Sequence, residues 1–212
     1  MTPTPTPTFT PTETLTPTAT SLPTPPDHIL ISEFRTRGPN GVGDEFIEIF
    51  NPTGQTVDIG GWQIKKSSAC GTSLSTLLTV NTGTQLLPGQ HFLAAPVSAS
   101  VPAPDQNFSA GISDSGGIAI LNNQGTVVDM AGMCATTAYL EGQPLNPMTS
   151  SSADQSYERK PGGAFGSCQD TGDNHSDFAQ IFPSSPQNLS SPVTLCASTA
   201  AAMNGKTKLN SP

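Results

Sequence analysis

Glu45-Phe46-Ile47-Glu48-Ile49-Phe50 places Ile47 and Ile49 on one side of an extended chain and Phe46 and Phe50 on the other. That alternation is the period of a β-strand, and Asn51-Pro52-Thr53-Gly54 closes it with turn residues, since Pro presets φ and Gly tolerates positive φ. On the N-terminal side, Ile29-Leu30-Ile31-Ser32-Glu33-Phe34 reads as a partner strand with Ile29 and Ile31 sharing a face. On the C-terminal side, Val57 and Ile59 precede Gly60-Gly61, and Trp62-Gln63-Ile64 resumes the alternation. Weaker strands are expected at Thr76 to Val80 and Thr84 to Leu87, before Pro88-Gly89 turns into Gln90-His91-Phe92-Leu93-Ala94. Gly117 to Leu121 and Thr126 to Met130 flank Asn122-Asn123-Gln124-Gly125, a hairpin signal, and a last strand is expected at Ser156 to Arg159. No helical period runs between Asp27 and Pro192. The fold class expected is all-β: a two-sheet sandwich of about seven to nine short strands.

Only 11% of the 212 residues are charged, while 21 are Pro and 20 are Gly. With 16 acidic against 8 basic side chains and a net charge of −8, the chain is unsuited to wrapping nucleic-acid phosphates. No apolar run is long enough to insert into a bilayer, so no nucleic-acid partner and no direct membrane insertion are expected. Residues 1–26 contain 11 Thr and 8 Pro and read as an extended linker or O-glycosylated stalk, reaching about 80 Å if fully stretched. A linker directly after Met1 is read as part of a longer protein whose export signal or upstream domain precedes it. Residues 27–192 form the folded domain, and 193–212 are expected to be a flexible tail.

Five groups of candidate residues stand out. Asp170, Asp173, Asn174 and Asp177 crowd one acidic run. Hard cations such as Ca²⁺ take such oxygens, yet Asp and Asn also cap turns, and the spacing is not that of an EF-hand. Glu33, Glu45 and Glu48 resemble paired carboxylates but are expected at solvated or edge positions, with Arg35 and Arg37 as partners. His28, His91 and His175 lack metal-triad spacing and are expected to be surface or satisfied groups. Trp62, Tyr139 and Tyr157 are candidates for a sugar platform, though Trp62 fits better in the core. The basic doublets Lys65-Lys66 and Arg159-Lys160 are expected on the solvated surface. No catalytic residues and no resident cofactor are expected, with Ca²⁺ at the acidic run the one ligand considered. Cys70, Cys134, Cys168 and Cys196 lack zinc-module spacing; beside a Thr/Pro stalk they favour disulfides in an oxidising compartment, with three connectivities open.

Several phrases together resemble the lamin tail domain as it occurs in bacterial surface proteins. These are Asp44 to Thr53, Val57 to Ile64, Leu87 to Leu93, Gly116 to Leu121, Gly125 to Asp129, Ser156 to Gly163, Cys168 to Phe178 and Ser185 to Asn188. The resemblance spans roughly Ile29 to Ser191 and implies an immunoglobulin-like sandwich with no catalytic residues to carry over. Cys70 and Cys134 depart together from the small polar residues of many relatives. That paired departure implies the pairing Cys70–Cys134, leaving Cys168–Cys196 to tether the tail across a loop worth about 3 kcal/mol. The function implied is a non-enzymatic extracellular or cell-surface binding and anchoring module whose partner is a protein or surface component. The alternatives are an accessory targeting domain of a larger secreted hydrolase or nuclease, and a carbohydrate-binding module.

Overall fold

The computed structural model describes residues 25–109, 111–148 and 153–196. The stalk reading of residues 1–26 therefore falls almost wholly outside the described residues, as does the tail beyond Cys196. The described chain is nearly all β. Its strands are β1 (Leu30–Arg35), β2 (Phe46–Phe50), β3 (Val57–Asp58), β4 (Gln63–Ser67), β5 (Leu74–Thr79) and β6 (Gln85–Leu86). They continue as β7 (His91–Ala95), β8 (Gln106–Asn107), β9 (Gly117–Leu121), β10 (Val127–Gly132), β11 (Ser156–Arg159) and β12 (Phe178–Ile181). One helical turn, α1 (Asn174–Asp177), directly precedes β12.

A six-stranded sheet runs β12-β11-β1-β2-β7-β8, a four-stranded sheet β10-β9-β4-β5, and β3 pairs with β6. All pairs are antiparallel except β7 with β8. The core lies between the two larger sheets: Ile31, Phe34, Ile47, Ile49, Phe92 and Ala94 meet Ile64, Leu78, Ile118, Ile120 and Ala131. The expected division of β2 is seen, with Ile47 and Ile49 in this core and Phe46 packed with Leu93 and Ala95 on the opposite face.

Three bulges adjust the alternation. In β1 the register slips between Ile31 and Glu33, so Ser32 is the extra residue and Ile31 and Phe34 share the core face three positions apart. In β5 Leu77 has no cross-strand partner, which lets Leu77 and Leu78 both turn inward. In β10 Val128 is the extra residue.

β1 and β2 are buried on both faces. Ala99 and Val101 of the β7–β8 connection cover Phe46 and Leu93, and the segment from Ser184 to Cys196 crosses the rest of that outer face as a strap. Both disulfides pair as the resemblance implied, Cys70–Cys134 and Cys168–Cys196. Thr194 in the expected tail donates its N–H to the Gly89 carbonyl at 2.8 Å, so the body holds the chain as far as Cys196.

Candidate binding groove at the end of the sandwich

The acidic run is a hydrogen-bonded turn. Asp173 is the N-cap of α1 and accepts the Ser176 N–H at 2.9 Å. Asn174 is buried; its Oδ1 accepts the Gly132 and Glu141 N–H groups at 2.8 and 3.1 Å, and its Nδ2 donates to the Met130 carbonyl, closing the edge of β10. Asp177 is buried and accepts both the N–H and the hydroxyl of Thr171 at 2.9 and 2.8 Å. Asp170 sits 3.2 Å from His28 Nε2, and that bond raises His28 to about 9 while holding Asp170 below its usual range. The four candidate ligands are thus already engaged within the fold, Asp170 and Asp177 each also standing 3.7 Å from Arg159 Nη1, and among the described residues no three His, Cys, Asp or Glu side chains are grouped to hold a metal ion.

Glu33, Glu45 and Glu48 are not at solvated positions; all three are buried. The strap and the loops covering the outer face account for this, neither of which the alternation of β1 and β2 forecasts. Arg35 and Arg37 do not partner them either: Arg35 pairs with Asp44 at 2.7 Å and Asp154 at 2.9 Å, and Arg37 pairs with Asp114. Glu33 stands between Glu48 and Glu158 in the sheet register. It accepts the Ser156 hydroxyl and the Ser185 N–H, and burial raises its carboxyl to about 7. Glu48 accepts the Ser32 hydroxyl and the Gln187 N–H, and burial, then the charge of Glu33, push it well above the usual range. His91, also buried, lies 3.8 Å from Glu48, yet burial lowers it to about 4. Burial thus disfavours the charged form of both groups, which weakens any ion pair between them. His91 is not a satisfied histidine, because its Nδ1 is buried without a partner.

Trp62 is half-buried against the core, while Tyr139 and Tyr157 are buried, the latter donating to the Asn146 carbonyl at 2.7 Å. Arg159 is buried rather than part of a surface doublet, and Lys160 donates to the Ser176 carbonyl at 2.6 Å.

A groove of about 700 Å³ opens where the β1–β2, β7–β8 and β8–β9 connections meet. Val42 and Val97 rise from its rim, 75% and 87% exposed, above a wall of Pro96 and Phe108. Glu45 also lines it, only 2% exposed, and its Oε2 is buried with no hydrogen-bond partner. Asp44, the preceding residue, is fully committed. Its burial is outweighed by N–H donors from Asn40 and Ser100 and by Arg35, which hold its carboxyl low. Consecutive acids thus point to opposite fates, one structural and one unspent. The sequence offers a single signal for this, that Glu45 and Glu48 cannot occupy one face of a strand.

The protein-family model described as Lamin Tail Domain matches residues 23–134. The chain belongs to the lamin tail domain family. A comparison with curated proteins finds no match for it. The matched part of the lamin tail domain runs from the entry into β1 to Cys134, and holds every wall of the groove together with the four-stranded sheet. β11, β12 and the strap lie beyond it, and they complete the six-stranded sheet and bury its outer face. The family is an immunoglobulin-like, non-catalytic one. Among the described residues no helix is long and apolar enough to cross a membrane.

Proposed function

We propose that this lamin tail domain is a non-enzymatic binding and anchoring module of the cell surface or extracellular medium, displayed on residues 1–26 as its stalk. The observation that carries the reading is the end groove, a loop-walled recess with an exposed apolar rim on a rigid scaffold. Recognition concentrates on such loops because the scaffold beneath them does not have to move. The two disulfides support an oxidising setting. The strongly shifted carboxyls support a structural role over acid–base catalysis, because Glu33 and Glu48 lie beneath the strap.

The test is titration of the fluorescently labelled chain onto intact source cells and their extracellular material, beside the Val42→Asp/Val97→Asp variant. Thiol labelling of the protein drawn from the same cells accompanies it. Saturable binding that the variant loses, with thiols that label only after reduction, is expected. Four thiols that label without reduction, or binding indifferent to the variant, overturns the reading.

A further inference from the structure

We propose that the end groove takes an arginine side chain presented by a protein partner, with Glu45 as its counter-ion. The inference rests on the groove being the ligand-taking surface and names the chemistry that surface selects.

Buried carboxylates are ordinarily paired or hydrogen-bonded. In this domain Asp44 has Arg35, Asp129 has Arg159, Asp177 has Thr171, and Glu33 and Glu48 have hydroxyls and strap N–H groups. Glu45 is the exception among the described residues: it is 2% exposed, with Oε2 enclosed and accepting nothing. Lys66, the neighbouring cation, donates to the Gly111 carbonyl instead. Gly111 leaves space beside the carboxylate that a side chain would crowd, since a Cβ there would stand 3.3 Å from Glu45 Oε1.

Beside that carboxylate the rim is apolar, through Val42 and Val97. An unspent acid next to exposed methyl groups matches a cation on an apolar stem. Arginine lays its methylenes on such surface and brings a planar fork of N–H donors to a carboxylate. The net charge of −8 draws a basic segment toward the domain at long range. A divalent cation fits less well, because it wants about six to eight oxygens and the groove offers one acid. A sugar ring wants an exposed aromatic face, and Phe108 is 6% exposed.

The probe is the peptide acetyl-Gly-Val-Arg-Val-Gly-amide, titrated into the isotope-labelled full chain and followed by amide chemical shifts. The same peptide with citrulline is the uncharged isostere. Expected are saturable shifts gathered at Val42, Gly43, Val97, Ser98 and Gly111, with the citrulline peptide weaker by about tenfold. Glu45→Gln should weaken the arginine peptide by a similar factor, and Val97→Ala by about threefold. Should Glu45→Gln fail to fold, the citrulline comparison and Val97→Ala decide. Equal binding of the two peptides, shifts spread over the acidic surface, or no binding up to about 10 mM overturns the proposal. If cell binding still depends on Val42 and Val97 while arginine is ignored, only this inference falls. If both fail, the groove reading falls with it.

Discussion

Arg159 has no exposed surface and survives burial because each of its N–H directions meets an acceptor. Its Nε donates to the Ile31 carbonyl at 2.8 Å, Nη1 to the Gln169 carbonyl at 3.0 Å, and Nη2 to both Asp129 oxygens at 2.9 and 2.7 Å. The guanidinium also lies 4.6 Å from the centre of the Phe178 ring. Asp129 in turn accepts the Ile31 N–H at 2.6 Å, so one carboxylate on β10 ties the four-stranded sheet to β11 and β1. Burial raises the Asp129 carboxyl above its ordinary value, against the opposing charge of Arg159 and the Ile31 N–H. Asp129→Ala strips the buried guanidinium of its closest counter-ion and leaves it the longer contacts to Asp170 and Asp177, each at 3.7 Å, and urea unfolding should show a loss of about 3 kcal/mol. Asp129→Leu/Arg159→Met removes both charges and should cost less than the single change. A single variant within about 0.5 kcal/mol of wild type would show that water reaches Arg159. None of this was visible in the sequence, where Arg159-Lys160 reads as a surface doublet and the partner acid lies 30 residues away.

At the level of elements, strands with a clear alternation were legible. The β9–β10 hairpin and β2 fall where their side-chain periods put them, within a residue or two. β8 and β12 were not legible, because Gln106-Asn107 has no apolar face and Phe178-Ala179-Gln180-Ile181 directly follows a capped turn. The strap was not legible either. Residues 184–196 form no strand; their place is fixed by distant acids that accept their N–H groups, namely Glu33 in β1, Glu48 in β2 and Asp105 in the β7–β8 connection. Cys168–Cys196 anchors the far end across 28 residues, where the chain-entropy model gives about 3–4 kcal/mol. Cys168→Ser/Cys196→Ser should therefore lower unfolding stability by about that much. Hydrogen exchange should quicken first at Thr194, Leu189 and Gln187, before the strands loosen. Uniform acceleration over the whole domain would mean that the strap has no separable opening.

For the whole molecule, the ionisable groups set an acidic optimum of stability. Glu33, held at about 7 by burial, binds a proton in the fold that the unfolded chain releases nearer 4.5. Its contribution is full below 4.5 and is lost as pH rises through 7, a change of about 3 kcal/mol. Glu141, raised to about 7 by burial and then by the Asp129 charge, has the same sign. His28, raised to about 9 chiefly by Asp170, contributes fully below 6.5 and loses its contribution as pH rises through 9. His91 opposes them: lowered to about 4 by burial, it contributes above 6.5 and loses that contribution as pH falls through 4. Asp44 and Asp170, both held low, likewise lose their contributions at still lower pH. The balance puts the maximum near pH 5, with melting at pH 8 several degrees lower. Glu33→Gln keeps an acceptor for Ser156 and Ser185 but removes the titration, so its melting temperature should change less between pH 5 and 8. Because Glu48 abuts Glu33, the same variant should also bring Glu48 down toward its ordinary range, readable as a shifted carboxyl titration by NMR. A wild-type melting temperature that rises from pH 5 to pH 8 would show that the strap admits water and that these carboxylates are ionised beneath it.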